Sequence, residues 1–146
     1  MSINAGLFSS ASDDWATPQD CFKALEREFG PFDLDVSANP ANAKAEHYFV
    51  DDGILGGLGE VWTGKVWMNP PYGRRIGDWI RKAYDSARGG ATVVCLLPSR
   101  TDTQWWHRYC MKGEIRFVEG RLRFGDSKNP APFPSAIVIF RPEAAL

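Results

Sequence analysis

The sequence predicts a three-layer α/β fold with a mostly parallel sheet and antiparallel strands towards its carboxyl end. Three observations carry this reading. Short apolar runs alternate with helical segments over the first three quarters of the chain, the order that builds a parallel sheet covered by helices. One run, "TVVCLL" at 92–97, is apolar at almost every position and so reads as a strand covered on both faces. Beyond it, "EIRFV", the turn Glu119-Gly120 and "SAIVIF" follow with no long helix between them, which points to antiparallel pairing.

The elements follow in order. Residues 1–14, "MSINAGLFSSASDD", are small and polar and read as a flexible arm, with 15–146 as one domain large enough for a sizeable core. Thr17-Pro18 opens a helix: threonine caps, proline takes the first helical position, and Asp20 comes close to completing a capping box. Phe22, Leu25 and Phe29 share a face, and Gly30 stops the helix. "FDLDV" at 32–36 alternates apolar and acidic residues, predicting a strand whose carboxylates, Asp33 and Asp35, point away from the core. "SANPANAK" is a loop, and the run Gly56, Gly57, Gly59 reads as a flexible loop. "KVWMN" at 65–69 is a strand. Ile76, Trp79, Ile80, Ala83, Tyr84 and Ala87 then recur at helical spacing until Gly89-Gly90 ends the helix. A short helix from Thr101 to about Met111 carries Trp105, Trp106 and Tyr109. "RLRF" and a proline-rich loop from Asp126 to Pro134 lead to the last strand.

Composition narrows the function. Hydrophobic content of 44% and charged content of 24% are those of a globular protein. Nine Phe, six Trp and four Tyr exceed what this core needs, so some belong at a ligand surface. A net charge of −1 argues against a uniformly nucleic-acid-attracting surface and leaves room for a local patch such as Arg74, Arg75, Arg81 and Lys82. Cys21, Cys95 and Cys110 are odd in number and lack metal spacing, as expected of reduced thiols in a cytoplasmic protein. His47 and His107 have no ligand-like partners nearby, so no metal site is expected. No stretch approaches the ~20 apolar residues of a membrane span, and no signal peptide is visible, so no membrane partner is expected.

The sharpest feature is "VWMNPPYG" at 66–73. Two prolines end a strand at once because neither can donate a ladder hydrogen bond. The turn sits at a strand's carboxyl end, where open α/β sheets bind ligands. The Asn69 side-chain oxygen and a proline carbonyl can both accept from one planar NH₂ group. Pro70 and Pro71 hold those acceptors rigidly, and Tyr72 offers a flat face for a base. Two accepted bonds draw an exocyclic amine out of conjugation and expose its lone pair to an electrophile.

"WATPQDCFKALEREFGPFDLDVSA", "VWMNPPYG", "LLPSRTDTQWWH", "GRLRFG" and "PFPSAIVIF" together resemble the phage-type Dam family of DNA N6-adenine methyltransferases, over roughly residues 15–141. The resemblance implies a single-domain Rossmann-like methyltransferase fold, the cofactor S-adenosyl-L-methionine, double-stranded DNA as partner, and a phage or prophage gene. It gives Asn69, Pro70, Pro71 and Tyr72 the catalytic role. It sets Trp15, Thr17 and Pro18 against the methionine end of the cofactor, and Asp33, Asp35 and Ser37 with Asn69 among the cofactor contacts. Tyr72, Arg74, Arg75 and Phe124 fall to the substrate, with Phe124 closing on a flipped base opposite Tyr72. The chain departs from the pattern after the first strand. "DVSANPANA" has no glycine, and only 34 residues separate Asp35 from Asn69, so the segment for the ribose and adenine is abbreviated, with Asp51 or Asp52 in place of the usual acidic contact. No separate target-recognition domain is visible. Two alternatives stand beside this reading: methylation of RNA or of protein glutamine by the same motif, and a non-catalytic nucleic-acid-binding module. The oligomeric state is left open.

Overall fold

The computed structural model describes residues 17–38, 41–50, 56–125 and 129–142. Its strands are β1 (Leu34–Ala38), β2 (His47–Val50), β3 (Lys65–Met68), β4 (Thr92–Pro98), β5 (Glu114–Phe117) and β6 (Ser135–Phe140). Its helices are α1 (Gln19–Phe29), α2 (Ile76–Arg88) and α3 (Gln104–Arg108). One six-stranded sheet runs in the order β2-β1-β3-β4-β6-β5. β2, β1, β3 and β4 are parallel, and β6 is antiparallel to both β4 and β5. The expected α/β architecture is present, with its antiparallel carboxyl-terminal strands.

Alternation along the strands sorts the core into two layers. Trp67 on β3 packs against Phe22 of α1, ring centroids 5.1 Å apart, so its face lies under α1. The other face, with Val93 and its partner Phe140, lies under α2, where Tyr84 meets Phe140 edge to face. Ile76, Trp79, Ile80, Ala83 and Ala87 are the buried stripe of α2, as their spacing predicts. β4 runs between β3 and β6 and is buried from Val93 to Pro98, which is why it needs no polar alternation. Gly30 ends α1 for a steric reason: a Cβ there would lie 2.7 Å from the Glu26 carbonyl oxygen.

Four expectations are corrected. β1 is not a one-sided surface strand. It is flanked by β2 and β3, it starts two residues later than the alternation implies, and Asp35 is only 2% exposed. Thr17 does not cap α1: Pro18 holds the cap position, with no side-chain cap bond. The glycine run is not a loose loop. Gly56–Gly59 is a 3-10 turn that crosses β1 so closely that a Cβ on Gly57 would lie 2.1 Å from the Val36 carbonyl oxygen. Trp62 Nε1 secures it by donating to the Gly57 carbonyl at 2.8 Å. Finally, the sheet has a strand that the sequence did not announce: β2 fills the outer edge beside β1.

The strand order positions the site. From β1 the chain steps outward to β2, then returns on the other side of β1 to form β3. The crevice between the carboxyl ends of β1 and β3 is therefore a topological switch point, the usual ligand site in such sheets. Asn69 is the first residue past β3 there.

Candidate active site

At the switch point, Asn69 Nδ2 donates to Thr17 Oγ1 at 2.9 Å. Thr17 is buried, at 7% exposure, and its hydroxyl is the acceptor that the helix start leaves unused. The bond fixes the amide's orientation, with nitrogen to Thr17 and the buried Oδ1 on the other side. Pro70 is fully buried and Pro71 half-buried, so the backbone beside Asn69 is held by packing as well as by ring closure.

Tyr72 differs from the open platform expected. Its ring is 5% exposed, and its hydroxyl donates to the Leu96 carbonyl at 2.9 Å. The last β3–β4 pair is Met68 with Cys95, and the residues that would continue the ladder include two prolines without N–H groups. The tyrosine hydroxyl supplies a donor just where the ladder stops. Burial raises the Tyr72 phenol well above its ordinary value, the neighbouring Cys21 and Cys95 add to this, and the Arg100 guanidinium pulls the other way. The phenol is a hydrogen-bond donor and no base. Phe124 meets the ring at 6.3 Å and Phe133 at 5.6 Å, both edge to face. Phe124 is in direct edge-to-face contact with Tyr72; Phe133, within "PFPSAIVIF", was not singled out and completes the aromatic cluster.

Asp35 lies on the β1 side of the crevice. Its Oδ1 accepts from Ser37 N at 3.2 Å and its Oδ2 from Lys44 N at 2.9 Å. Burial pushes its carboxyl up to about 6, against the opposing pull of those backbone bonds and of Lys44. The carboxylate thus pins the β1–β2 connection and sets the backbone of Ser37, which is half-buried at the crevice. Asp33 is not brought to the site. It precedes β1 at the opposite end of the sheet, where its Oδ2 accepts from Lys65 N at 2.8 Å. Trp15, Asp51 and Asp52 lie outside the described residues; Pro18 follows Thr17 and is half-buried.

Of the expected substrate cations, Arg74 is exposed on the β3–α2 turn, and Arg75 reaches Asp78 at 3.2 Å. Arg81 pairs with Asp85 at 3.7 Å, and Lys82 lies over the Trp62 ring at 5.6 Å. These last two line a groove of about 630 Å³ on the outer side of α2. A second groove, of about 560 Å³, opens between α1 and residues 43–47. Neither includes Asn69 among its lining residues. Trp106 is buried and stacked on Phe117, and Trp105 covers Gly77 of α2, so both tryptophans are packing residues. Cys21, Cys95 and Cys110 are free thiols. Among the described residues no group of three or more His, Cys, Asp or Glu could hold a metal, and no helix is long and apolar enough to cross a membrane.

A family model for DNA N-6-adenine-methyltransferase (Dam) matches residues 5–144. The chain belongs to the Dam family. The match begins inside the segment read as an arm. A DNA N-6-adenine-methyltransferase of Haemophilus phage HP1 (strain HP1c1) is 30% identical over 155 residues, covering 99% of this chain and 87% of the relative. A DNA N-6-adenine-methyltransferase of Escherichia phage T1 is 31% identical over 115 residues, covering 75% of this chain and 46% of the relative. This Dam-family chain therefore aligns with less than half of the T1 protein and with most of the HP1 protein.

Proposed function

We propose that the chain is an adenine-specific DNA methyltransferase that uses S-adenosyl-L-methionine to methylate N6 of an adenine swung out of double-stranded DNA. The observation that carries this is the Asn69 amide, oriented by Thr17 at the β1–β3 switch point. With its nitrogen engaged, Asn69 turns an acceptor to the substrate. Oδ1 takes one N6 hydrogen and the adjoining proline carbonyl the other, so the nitrogen lone pair leaves the ring's π system. When bound, S-adenosyl-L-methionine supplies an electrophilic methyl group. The residues fit such a ligand: a hydroxyl on Thr17, another on Ser37 and the Asn69 amide gather at one crevice, while Asp35 fixes the backbone that presents Ser37. Pro18 adjoins Thr17, and Trp15 is a further cofactor contact in this reading. Tyr72, Phe124 and Phe133 form the pocket for the base, which enters as the edge-to-face cluster opens. The amine loses its proton after attack, so no strong base is required, consistent with a Tyr72 phenol that burial keeps protonated. Residues 15–146 form the catalytic domain.

Tritiated S-adenosyl-L-methionine offered with unmethylated DNA, RNA and protein tests the reading. Label in N6-methyladenine of duplex DNA supports it; label only in RNA or in protein glutamine, or cofactor binding with no transfer, overturns it. Asn69→Ala should cost at least ~10²-fold in turnover, as loss of a preorganised polar contact does, with calorimetric affinity for S-adenosyl-L-methionine nearly unchanged.

A further inference from the structure

The sheet gathers arginines at its catalytic edge. Pro98 pairs with Ser135 and Phe117 with Ala136, so the carboxyl end of β5 and the amino end of β6 lie on the same edge as the carboxyl ends of β1, β3 and β4. The described turns at that edge include residues 69–75, 99–103, 118–125 and 129–134. They carry Arg74, Arg100, Arg121 and Arg123, all exposed. Asp102 and Glu119 are the exposed carboxylates among the described residues of those turns. Some other arginines are ion-paired: Arg116 with Glu28 and Glu114, Arg141 with Glu114, Arg81 with Asp85, and Arg75, on the edge itself, with Asp78. Arg74, Arg100 and Arg121 make no ion pair among the described residues.

These positions are also stiff. Arg100 N donates to the Pro98 carbonyl at 2.9 Å, and Thr103 Oγ1 donates to the Arg100 carbonyl at 2.7 Å. The same Thr103 oxygen accepts from Trp106 N and so caps α3. The helix packed on α2 through Trp105 thereby fixes the backbone of Arg100. On the far side, Ala131 N donates to the Leu122 carbonyl at 2.7 Å, tying the 118–125 and 129–134 limbs together between Arg121 and Arg123. Arg121 Nη1 reaches the Ala131 carbonyl at 3.4 Å. Arg100 stands next to the residue that bonds Pro134, beside Phe133 of the aromatic pocket, and its charge is felt by Tyr72. Arg123 adjoins Phe124 on the pocket's other wall.

We infer that Arg100, Arg121 and Arg123 grip the DNA phosphates that flank the extruded adenine, with Arg100 at the pocket mouth. The inference rests on the proposed function and deepens it. A nucleotide rotated out of the stack brings its own backbone to the pocket rim, and cations on both sides of the rim hold that backbone without reading sequence. A chain with net charge −1 can bind a polyanion in this way because exposed arginines stand together on the turns beside the pocket.

Binding of the full-length chain to a fluorescent, adenine-rich DNA duplex, measured by anisotropy across a salt series, tests this. Each of Arg100→Ala, Arg121→Ala and Arg123→Ala is expected to weaken binding severalfold and to lower the slope of log K against log salt by about 0.9 per lost phosphate contact. Arg100→Lys, which keeps the charge, should keep the slope. Arg27→Ala, in the last turn of α1 at the opposite end of the sheet, should match wild type. Arg100→Ala should raise KM for DNA more than it lowers kcat. A triple alanine variant with an unchanged slope, made in a protein whose wild type methylates DNA, overturns the inference alone. A wild type that neither binds nor methylates DNA overturns the proposed function and, with it, this inference.

Discussion

Thr17 illustrates how one residue type serves two chemistries. Thr-Pro before a helical pattern is also what a capped helix start requires, so the sequence offered an ordinary explanation, and only the hydrogen bond to Asn69 shows where the hydroxyl is spent. Thr17→Val keeps the shape and removes the acceptor. Turnover should fall up to about tenfold, the worth of one hydrogen bond at a positioned group, and Thr17→Ser should restore it; equal activity in all three would remove Thr17 from the site. Tyr72 makes the complementary case. Tyr72→Phe keeps the ring and leaves the Leu96 carbonyl without its hydroxyl donor, so stability should drop by about 1–3 kcal/mol while folded protein retains much of its methyl transfer. Tyr72→Ala should lose activity as well, since a stacking wall contributes about 1–3 kcal/mol per base. If folded Tyr72→Phe were as inactive as Tyr72→Ala, the hydroxyl and not the ring would be the working part.

At the scale of elements, the 56–59 turn sets a hard limit on sequence. Because a Cβ on Gly57 would meet the Val36 carbonyl at 2.1 Å, backbone must move for any other residue. Gly57→Ala is expected to destabilise by more than ~2 kcal/mol in chemical denaturation, the range of buried steric conflict; a midpoint equal to wild type would mean that the crossing is looser than described. This turn also shows what the sequence could reveal. α1, α2, β4 and β6 were legible because each carries a helical period or an apolar run, and the end of β3 just before Asn69 was legible because two prolines follow. β2 was not, since four residues with half-exposed faces have no distinctive period, and its place is decided by pairing with β1. Asp35 was misread as a surface acid because alternation cannot distinguish solvent from a pair of buried N–H donors. Arg100 stands after β4 as Asn69 stands after β3, and the strand-end argument applied evenly would have marked it.

For the whole molecule, Asp35 makes stability a function of pH. Its carboxyl is raised from 3.8 to about 6, chiefly by burial. Between those values the native chain holds a proton that the unfolded chain has released, so this contribution to stability is largest at the acidic end and declines as pH rises through about 6. The decline amounts to about 3 kcal/mol at 1.36 kcal/mol per unit. Urea denaturation below, within and above that window should show the decline in wild type and its absence in Asp35→Asn; parallel curves would sink the assignment. The division of charge between the two ends of the sheet has a different consequence. With exposed arginines on the strand-end turns and a mutually paired cluster, Glu28–Arg116–Glu114, at the other end, local charge counts for more than net charge. On the proposed reading, attraction to DNA depends on which way the molecule faces: an encounter through the arginine-bearing edge brings the crevice to the backbone. A small protein of almost no net charge can thus travel through a crowded, polyanionic surrounding without being held indiscriminately, and engage only when turned the right way.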